Sequence, residues 1–257
     1  YKDFSFVSQD SSSYLRDLGH NDGLEQLIDA VEKIDGVKTA RILYLYPSTT
    51  TLNLIDKIAD SKVFVNYFDM PLQHISQNML KIMKRGKGAE KLIELMNYMR
   101  SKPNSFVRTT FIAGHPGESE EDFEELCSFV EEFGFDRGNV FSYSDEEGTS
   151  AETRDDKIEQ ELIDERAEIL GDIISQTTIK SLENDIGKSF EVYIDGESEE
   201  HEYLLSARKT IWAPQIDGEI YINDNEDNIP IIFGEIYEVE ATQLAGDKLL
   251  AKIIRKV

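Results

Sequence analysis

Along the first three quarters of the chain, short apolar runs alternate with longer stretches whose apolar positions recur every three or four residues. A short run bounded by turn residues reads as a strand buried on both faces, and a period near 3.6 reads as a helix with one apolar stripe. The pattern predicts strands over Asp3–Val7, Ala40–Tyr44, Val63–Asp69, Val107–Ile112 and Gly138–Ser142. It predicts helices over Gly23–Ile34, Thr50–Ala59, Ile75–Lys84, Glu90–Ser101 and Glu120–Phe133. Ser119 followed by Glu120, Glu121 and Asp122 supplies an N-cap hydroxyl and acids at the positive end of a helix dipole. Strands alternating with helices in this order build a parallel sheet.

From Asp155 to Asn184, Ile158, Leu162, Ile163, Ala167, Leu170, Ile173 and Ile174 keep helical spacing, which predicts one long amphipathic helix. The period then drops to two. Phe190–Ile194, Tyr203–Ala207, Glu219–Ile222, Ile236–Ala241 and Leu249–Ile254 alternate between Gly, Asp and Asn turn signals, and Gly196–Glu202 is an acidic loop. Five such strands predict a small antiparallel β-barrel of the OB-like kind. The expected division is residues 1–184 and 185–257.

Composition narrows the function classes. The 257 residues are 40% hydrophobic and 30% charged, enough for a globular core. No apolar run approaches the roughly 18 residues of a membrane span, and Tyr1–Asp10 lacks the layout of a signal peptide, so no membrane partner and a cytoplasmic location are expected. A single cysteine, Cys127, excludes an internal disulfide and a thiolate-held cluster built from these residues alone. The formal charge of -24 repels phosphate backbones and favours a basic partner, so no direct nucleic-acid contact is expected. The same acidity also serves solubility.

In a parallel sheet, ligands gather where loops leave the C-terminal ends of strands. The segments after the five strands are Ser8–Ser11, Tyr46–Ser48, Pro71–His74, Gly114–Glu118 and Tyr143–Thr149. Each has a plain alternative: Gln73-His74 could end a strand and start a helix, and Gly114 and Gly117 could serve a tight turn or let backbone approach a ligand. No second His or Cys stands at metal-ligand spacing, so no metal site is expected. Walker, GxGxxG and nucleophile-elbow patterns are missing from the sequence.

Read in order, Phe6–Tyr14, Arg41–Pro47, Tyr67–Ser76 continuing through Met83-Lys84-Arg85-Gly86, Arg108–Glu118 and Phe141–Thr149 resemble the radical S-adenosylmethionine methylthiotransferases. Ala207-Arg208 and Ala213–Ile222 resemble the TRAM domain that ends them. His115 departs from the pattern, where many members have Phe. The resemblance implies a partial TIM-like radical SAM barrel, lacking its first strand and cluster loop, followed by TRAM. It implies S-adenosylmethionine as cofactor and two four-iron four-sulfur clusters in the full-length enzyme, with ligands outside this chain and no catalytic residue within it. Reduction of the cofactor's sulfonium would give a radical that takes hydrogen from an unactivated carbon, and a methylated sulfur would follow.

By strand-end position, Gln9, Gln73, Arg108 and Glu118 are the candidate cofactor-binding residues, with Arg108 opposite a carboxylate. His74 and Tyr143 are second candidates. The Tyr143–Thr149 wording resembles the branch that modifies an aspartate of ribosomal protein S12. Between Asn184 and Val257 stand 16 Asp and Glu against 7 Lys and Arg, the wrong field for RNA. The alternatives are a tRNA adenosine methylthiotransferase and a non-catalytic module that binds a ribosomal protein.

Overall fold

The structure is a computed structural model, which describes residues 1–86, 88–225 and 228–257. Two compact units emerge, Tyr1–Thr177 and Thr178–Val257. In the first, β1 (Asp3–Phe6), β2 (Thr39–Ile42), β3 (Phe64–Asp69), β4 (Phe106–Ala113) and β5 (Arg137–Ser142) form one sheet in sequential order. Every neighbouring pair is parallel. The connections carry α1 (Gly23–Val31), α2 (Leu52–Ala59), α3 (Gln77–Ile82), α4 (Ala89–Arg100) and α5 (Glu120–Phe133), and α6 (Gln160–Glu183) follows β5. The sheet is open, with β1 and β5 at its edges.

The strands are two-sided. On β4, Val107, Thr109 and Phe111 are fully buried, and Phe111 joins the apolar cluster of Ile42, Phe68, Leu126, Val130 and Phe135. Successive side chains alternate faces, so Arg108, Thr110 and Ile112 share the other one. Helix starts are fixed by local chemistry. Thr51 accepts Leu54 N–H, Ser76 accepts Met79 N–H, and Ser119 and Asp122 form a reciprocal capping box.

The expected helix over Ile75–Lys84 is therefore shorter, since Ser76 caps it and Lys84 (φ 56°) has left the helical region. The long helix begins at Gln160 rather than Asp155. β2 stops at Ile42, short of Tyr44, whose φ of 59° carries the chain out of the strand.

The second unit is a closed barrel of β6 (Ser189–Glu197), β7 (Leu205–Lys209), β8 (Ile220–Asp224), β9 (Ile236–Ala245) and β10 (Lys248–Lys256), in the order β10-β8-β7-β6-β9. The strand expected at Tyr203–Ala207 lies two residues later. The barrel is not wholly antiparallel, because β10 pairs with β8 in parallel while the other four pairings are antiparallel. Parity requires this: alternating directions cannot close a ring of five strands. Val192 and Ile194, Tyr237, Val239 and Ala241, and Leu249, Ala251 and Ile253 are buried at period two. Within the acidic loop, Glu200 is engaged by Lys248 (2.7 Å) and the Tyr221 hydroxyl (2.5 Å).

Candidate functional site

The face of the open sheet that carries Arg108 and Thr110 borders two cavities, of about 320 Å³ and about 610 Å³. The smaller is lined by Gln9, Tyr44, Tyr46, Arg108 and Asn139 among others. The larger takes His115, Ser142, Tyr143, Glu146 and Thr149. Gln73, Arg85, Thr110 and Phe141 line both, so these four form the shared wall. Strand period two explains the set: Arg108 and Thr110 on β4, and Asn139 and Phe141 on β5, point to one side.

The loops that carry the lining are tightly held. Asp10 accepts the hydroxyls of Ser12 (2.6 Å), Ser13 (2.5 Å) and Thr49 (3.3 Å), and Ser11 Oγ donates to the Leu43 carbonyl (2.5 Å). These bonds fasten the Gln9 loop to the Tyr46–Thr49 loop. Tyr44 and Gln73 have φ of 59° and 70°, a region that costs a side-chain-bearing residue roughly 1–2 kcal/mol. The surroundings impose it. Tyr44 N–H donates to Asp69 Oδ2 (3.2 Å), while Gln73 donates its N–H to the Thr110 carbonyl and accepts Ile112 N–H, both at 2.9 Å. Backbone strain held by such contacts clusters at ligand sites.

Arg108 sits in the smaller cavity but is already paired, 3.2 Å from Asp69 Oδ1, and with its side-chain amide turned to match its neighbours Asn139 accepts from Arg108 at 2.9 Å. Burial raises the Asp69 carboxyl above its ordinary range, against the opposing pull of Arg108 and Tyr44 N–H. The guanidinium is thus a partly neutralised wall.

Tyr143 hydrogen-bonds Asp145 (2.6 Å), and burial together with that acid pushes its phenol up to about 12, so it remains a hydrogen-bond donor at neutral pH. His115 packs edge-on to Tyr143 at 5.0 Å, and burial lowers its pKa, so it is neutral there.

Gln9, Gln73 and Arg108 therefore meet in one cavity, and Tyr143 joins Gln73 in the next. His74 and Glu118 line neither. Glu118, 5% exposed, accepts Gly114 N–H (3.2 Å) and Arg166 (2.8 Å), tying the end of β4 to α6. His74 Nδ1 accepts Ser76 N–H (3.1 Å), which puts its proton on Nε2, 3.4 Å from Glu118 Oε2 but outside hydrogen-bond geometry. Both residues support the site from behind. Their strand-end positions alone could not show which way the side chains turn.

Arg85, Tyr46, Thr110 and Asn139 received no role from sequence. The signal for Thr110 and Asn139 was present as the strand alternation that includes Arg108. The place of Arg85 depends on a turn after α3 that no periodicity announces.

The residues present suit an adenosyl and amino-acid ligand: aromatic rings of Tyr44 and Tyr46 for stacking, and a half-buried Gln73 amide and Thr110 hydroxyl without side-chain partners among the described residues. They do not suit an iron–sulfur cluster. Among the described residues no group of three or more His, Cys, Asp or Glu could hold a metal. Cys127 is half-buried on α5 against the apolar cluster, and burial, reinforced by nearby Glu118 and Glu120, pushes its thiol up to about 11.

Residues 6–130 match the Radical SAM superfamily and residues 186–254 match the TRAM domain. The open-sheet unit is thus similar to the Radical SAM superfamily and the closed barrel to the TRAM domain. Over its whole length it is similar to proteins named ribosomal protein uS12 methylthiotransferase RimO: 78% identical to that of Aliarcobacter butzleri, covering 99% of this chain and 58% of the relative. It is 60% identical to that of Sulfurovum sp., covering 100% and 58%. The chain thus spans 58% of the length of these relatives. Among solved structures, coproporphyrinogen III oxidase (HemN) from Escherichia coli, a radical SAM enzyme, overlaps 64% of this chain and 37% of its own at a TM-score of 0.47 and 19% identity.

Proposed function

We propose that this chain is the cofactor- and substrate-binding part of a methylthiotransferase that acts on an aspartate of ribosomal protein S12. The observation that carries the reading is identity to proteins of that name, 78% across 99% of the chain. S-adenosylmethionine would supply the radical and methyl chemistry when bound. Gln9, Gln73, Tyr44 and Tyr46 would hold it in the smaller cavity, with Arg108, fixed by Asp69, as part of the wall. Tyr143 and His115 would face substrate in the larger one without changing charge near neutrality; with the Tyr143 proton given to Asp145 and the His115 Nδ1 proton to the Pro116 carbonyl, each would offer an acceptor atom. The proposed division keeps the radical SAM part within residues 1–184 and TRAM within 185–257.

One cysteine cannot supply a cluster's thiolates. The two clusters proposed for the complete enzyme would use ligands from the portion of the relatives' length that this chain does not cover, and these 257 residues alone would be inactive. A cytoplasmic site of action goes with a ribosomal substrate, and no described helix is long and apolar enough to cross a membrane.

The charge of the segment from Asn184 to Val257, 16 acids against 7 Lys and Arg, supports a basic protein partner over tRNA. The test is mass spectrometry of ribosomal protein S12 from cells carrying or lacking the complete gene. A methylthio mass on one aspartate that depends on the gene is expected. An unmodified protein S12 in both strains, with a gene-dependent change in tRNA adenosine, would replace this reading with the tRNA branch.

A further inference from the structure

The wall shared by the two cavities contains a guanidinium, that of Arg85, with no carboxylate partner among the described residues. Arg41, Arg100, Arg108, Arg154 and Arg166 of the same unit each pair with a carboxylate. Arg85 has no acidic partner among the described residues, in a chain with 51 Asp and Glu. Its guanidinium lies instead over the Tyr46 ring, 5.3 Å from the centroid.

Its position is built. After α3 the chain turns through Lys84 in the left-handed region, and Arg85 N–H closes the turn on the Leu80 carbonyl (2.8 Å). Gly86 (φ 70°) then passes so close to Ser48 that an added Cβ would sit 2.4 Å from its Oγ. The turn is thereby pressed against the loop that carries Tyr46. Gln73, strained at φ 70°, presents an amide with no described partner on the same wall.

We propose that Arg85, with the Gln73 amide on the same wall, is a carboxylate-binding subsite at the junction of the two cavities. A half-buried guanidinium without a counter-ion favours a planar anion that it can grip with two N–H groups, and an aromatic ring beneath fixes its plane. Of the acids around the two cavities, Asp69 is held by Arg108 and Asp145 by Lys157, and Glu146 lines the larger cavity without pairing to Arg85. Two sources of carboxylate reach this wall under the methylthiotransferase reading: an acidic side chain of a protein substrate entering the larger cavity, and the amino-acid end of the cofactor in the smaller. The proposal rests on that reading only for the identity of these ligands.

The test is equilibrium binding of three probes to the complete, cluster-bearing protein, as wild type and as Arg85→Gln. The probes are a short Lys/Arg-rich peptide with a single Asp, the same peptide with Asn in its place, and S-adenosylmethionine. The wild type should prefer the Asp peptide to the Asn peptide by about tenfold or more, the scale of a charged hydrogen bond. Arg85→Gln should erase that preference, leave the Asn peptide and S-adenosylmethionine binding as before, and leave the thermal midpoint unchanged, because no ion pair is lost. Arg85→Lys should keep part of the preference. Weaker S-adenosylmethionine binding with the peptide preference intact would assign the subsite to the cofactor's carboxylate.

Identical affinities of wild type and Arg85→Gln for all three probes would overturn the proposal. If the wild type binds none of them, the methylthiotransferase reading falls. The subsite is then judged by whether succinate shields Arg85 from phenylglyoxal, read by mass spectrometry, and absence of shielding would overturn it too.

Discussion

The two units solve the same problem in opposite ways. In the barrel, five strands close on themselves, so no edge remains and the inner face must be filled; Val192, Ile194, Tyr237, Val239 and Leu249 fill it, all fully buried. In the first unit the sheet stays open, one face goes under helices, and the other keeps Arg108, Thr110 and Asn139 beside cavities. A closed ring of this size spends its interior on stability. An open sheet must obtain stability from the helix side alone, which leaves its second face available for polar groups that bind. Left-handed side-chain-bearing residues occur in both units, Gln215 and Asn228 in the second among them, and two of those in the first, Tyr44 and Gln73, border the smaller cavity.

The largest effect that should separate the units is in the barrel. Tyr237→Ala removes a fully buried ring whose hydroxyl also accepts Ile232 N–H and donates to the Pro230 carbonyl. A loss of about 3–5 kcal/mol is expected, measured by urea unfolding. A loss under about 1 kcal/mol would mean the barrel interior is not a packed core.

The next comparison is between a supporting and a ligand-binding carboxylate. Glu118→Ala removes one of the two carboxylates on Arg166, whose side chain is 5% exposed and which keeps Glu120 at 2.9 Å, and should cost about 1–3 kcal/mol. If Glu118→Ala keeps its stability and loses only ligand affinity, Glu118 belongs in the cavity after all.

Gln73→Gly should do the reverse. Relief of the left-handed backbone should offset much of glycine's entropic cost, so stability should hold within about 1 kcal/mol. S-adenosylmethionine affinity should fall with the amide. Calorimetric unfolding and binding on one sample would check both, and a large stability loss would show that the Gln73 side chain is structural.

The smallest effect is in acid. Burial alone would raise the Asp122 carboxyl, but hydrogen bonds from Ser76, Asn78 and Ser119 outweigh it and hold the folded pKa below the ordinary 3.8. The unfolded chain then binds the proton first. The stabilisation is complete above 3.8 and is lost as pH falls through the lower folded value. Asp122→Asn should flatten the acid limb of the unfolding midpoint against pH, and Ser76→Ala should move its onset upward. An unchanged acid limb in both would remove this network from the acid response.

Much of the architecture was legible in the sequence, because hydrophobic periodicity is a local record of which face each residue buries. The switch from period 3.6 to period two after Asn184, the Ser119–Asp122 cap and the order of the five parallel strands all follow from neighbours a few residues apart. Composition likewise determined that one cysteine could build neither a disulfide nor a cluster, and that the field is acidic.

Three things only the tertiary structure decided. The parallel closure of β10 on β8 follows from the ring as a whole, which no single strand encodes. Glu118 and His74 turn behind the cavity because α6, some fifty residues later in the chain, brings Arg166 to meet the carboxylate. Arg85 joins Tyr46 and Gln73 because a left-handed turn presses against a loop that is distant in sequence. Local pattern reports the face a residue buries, and long-range contact alone reports which charges find partners and which are left to bind something else.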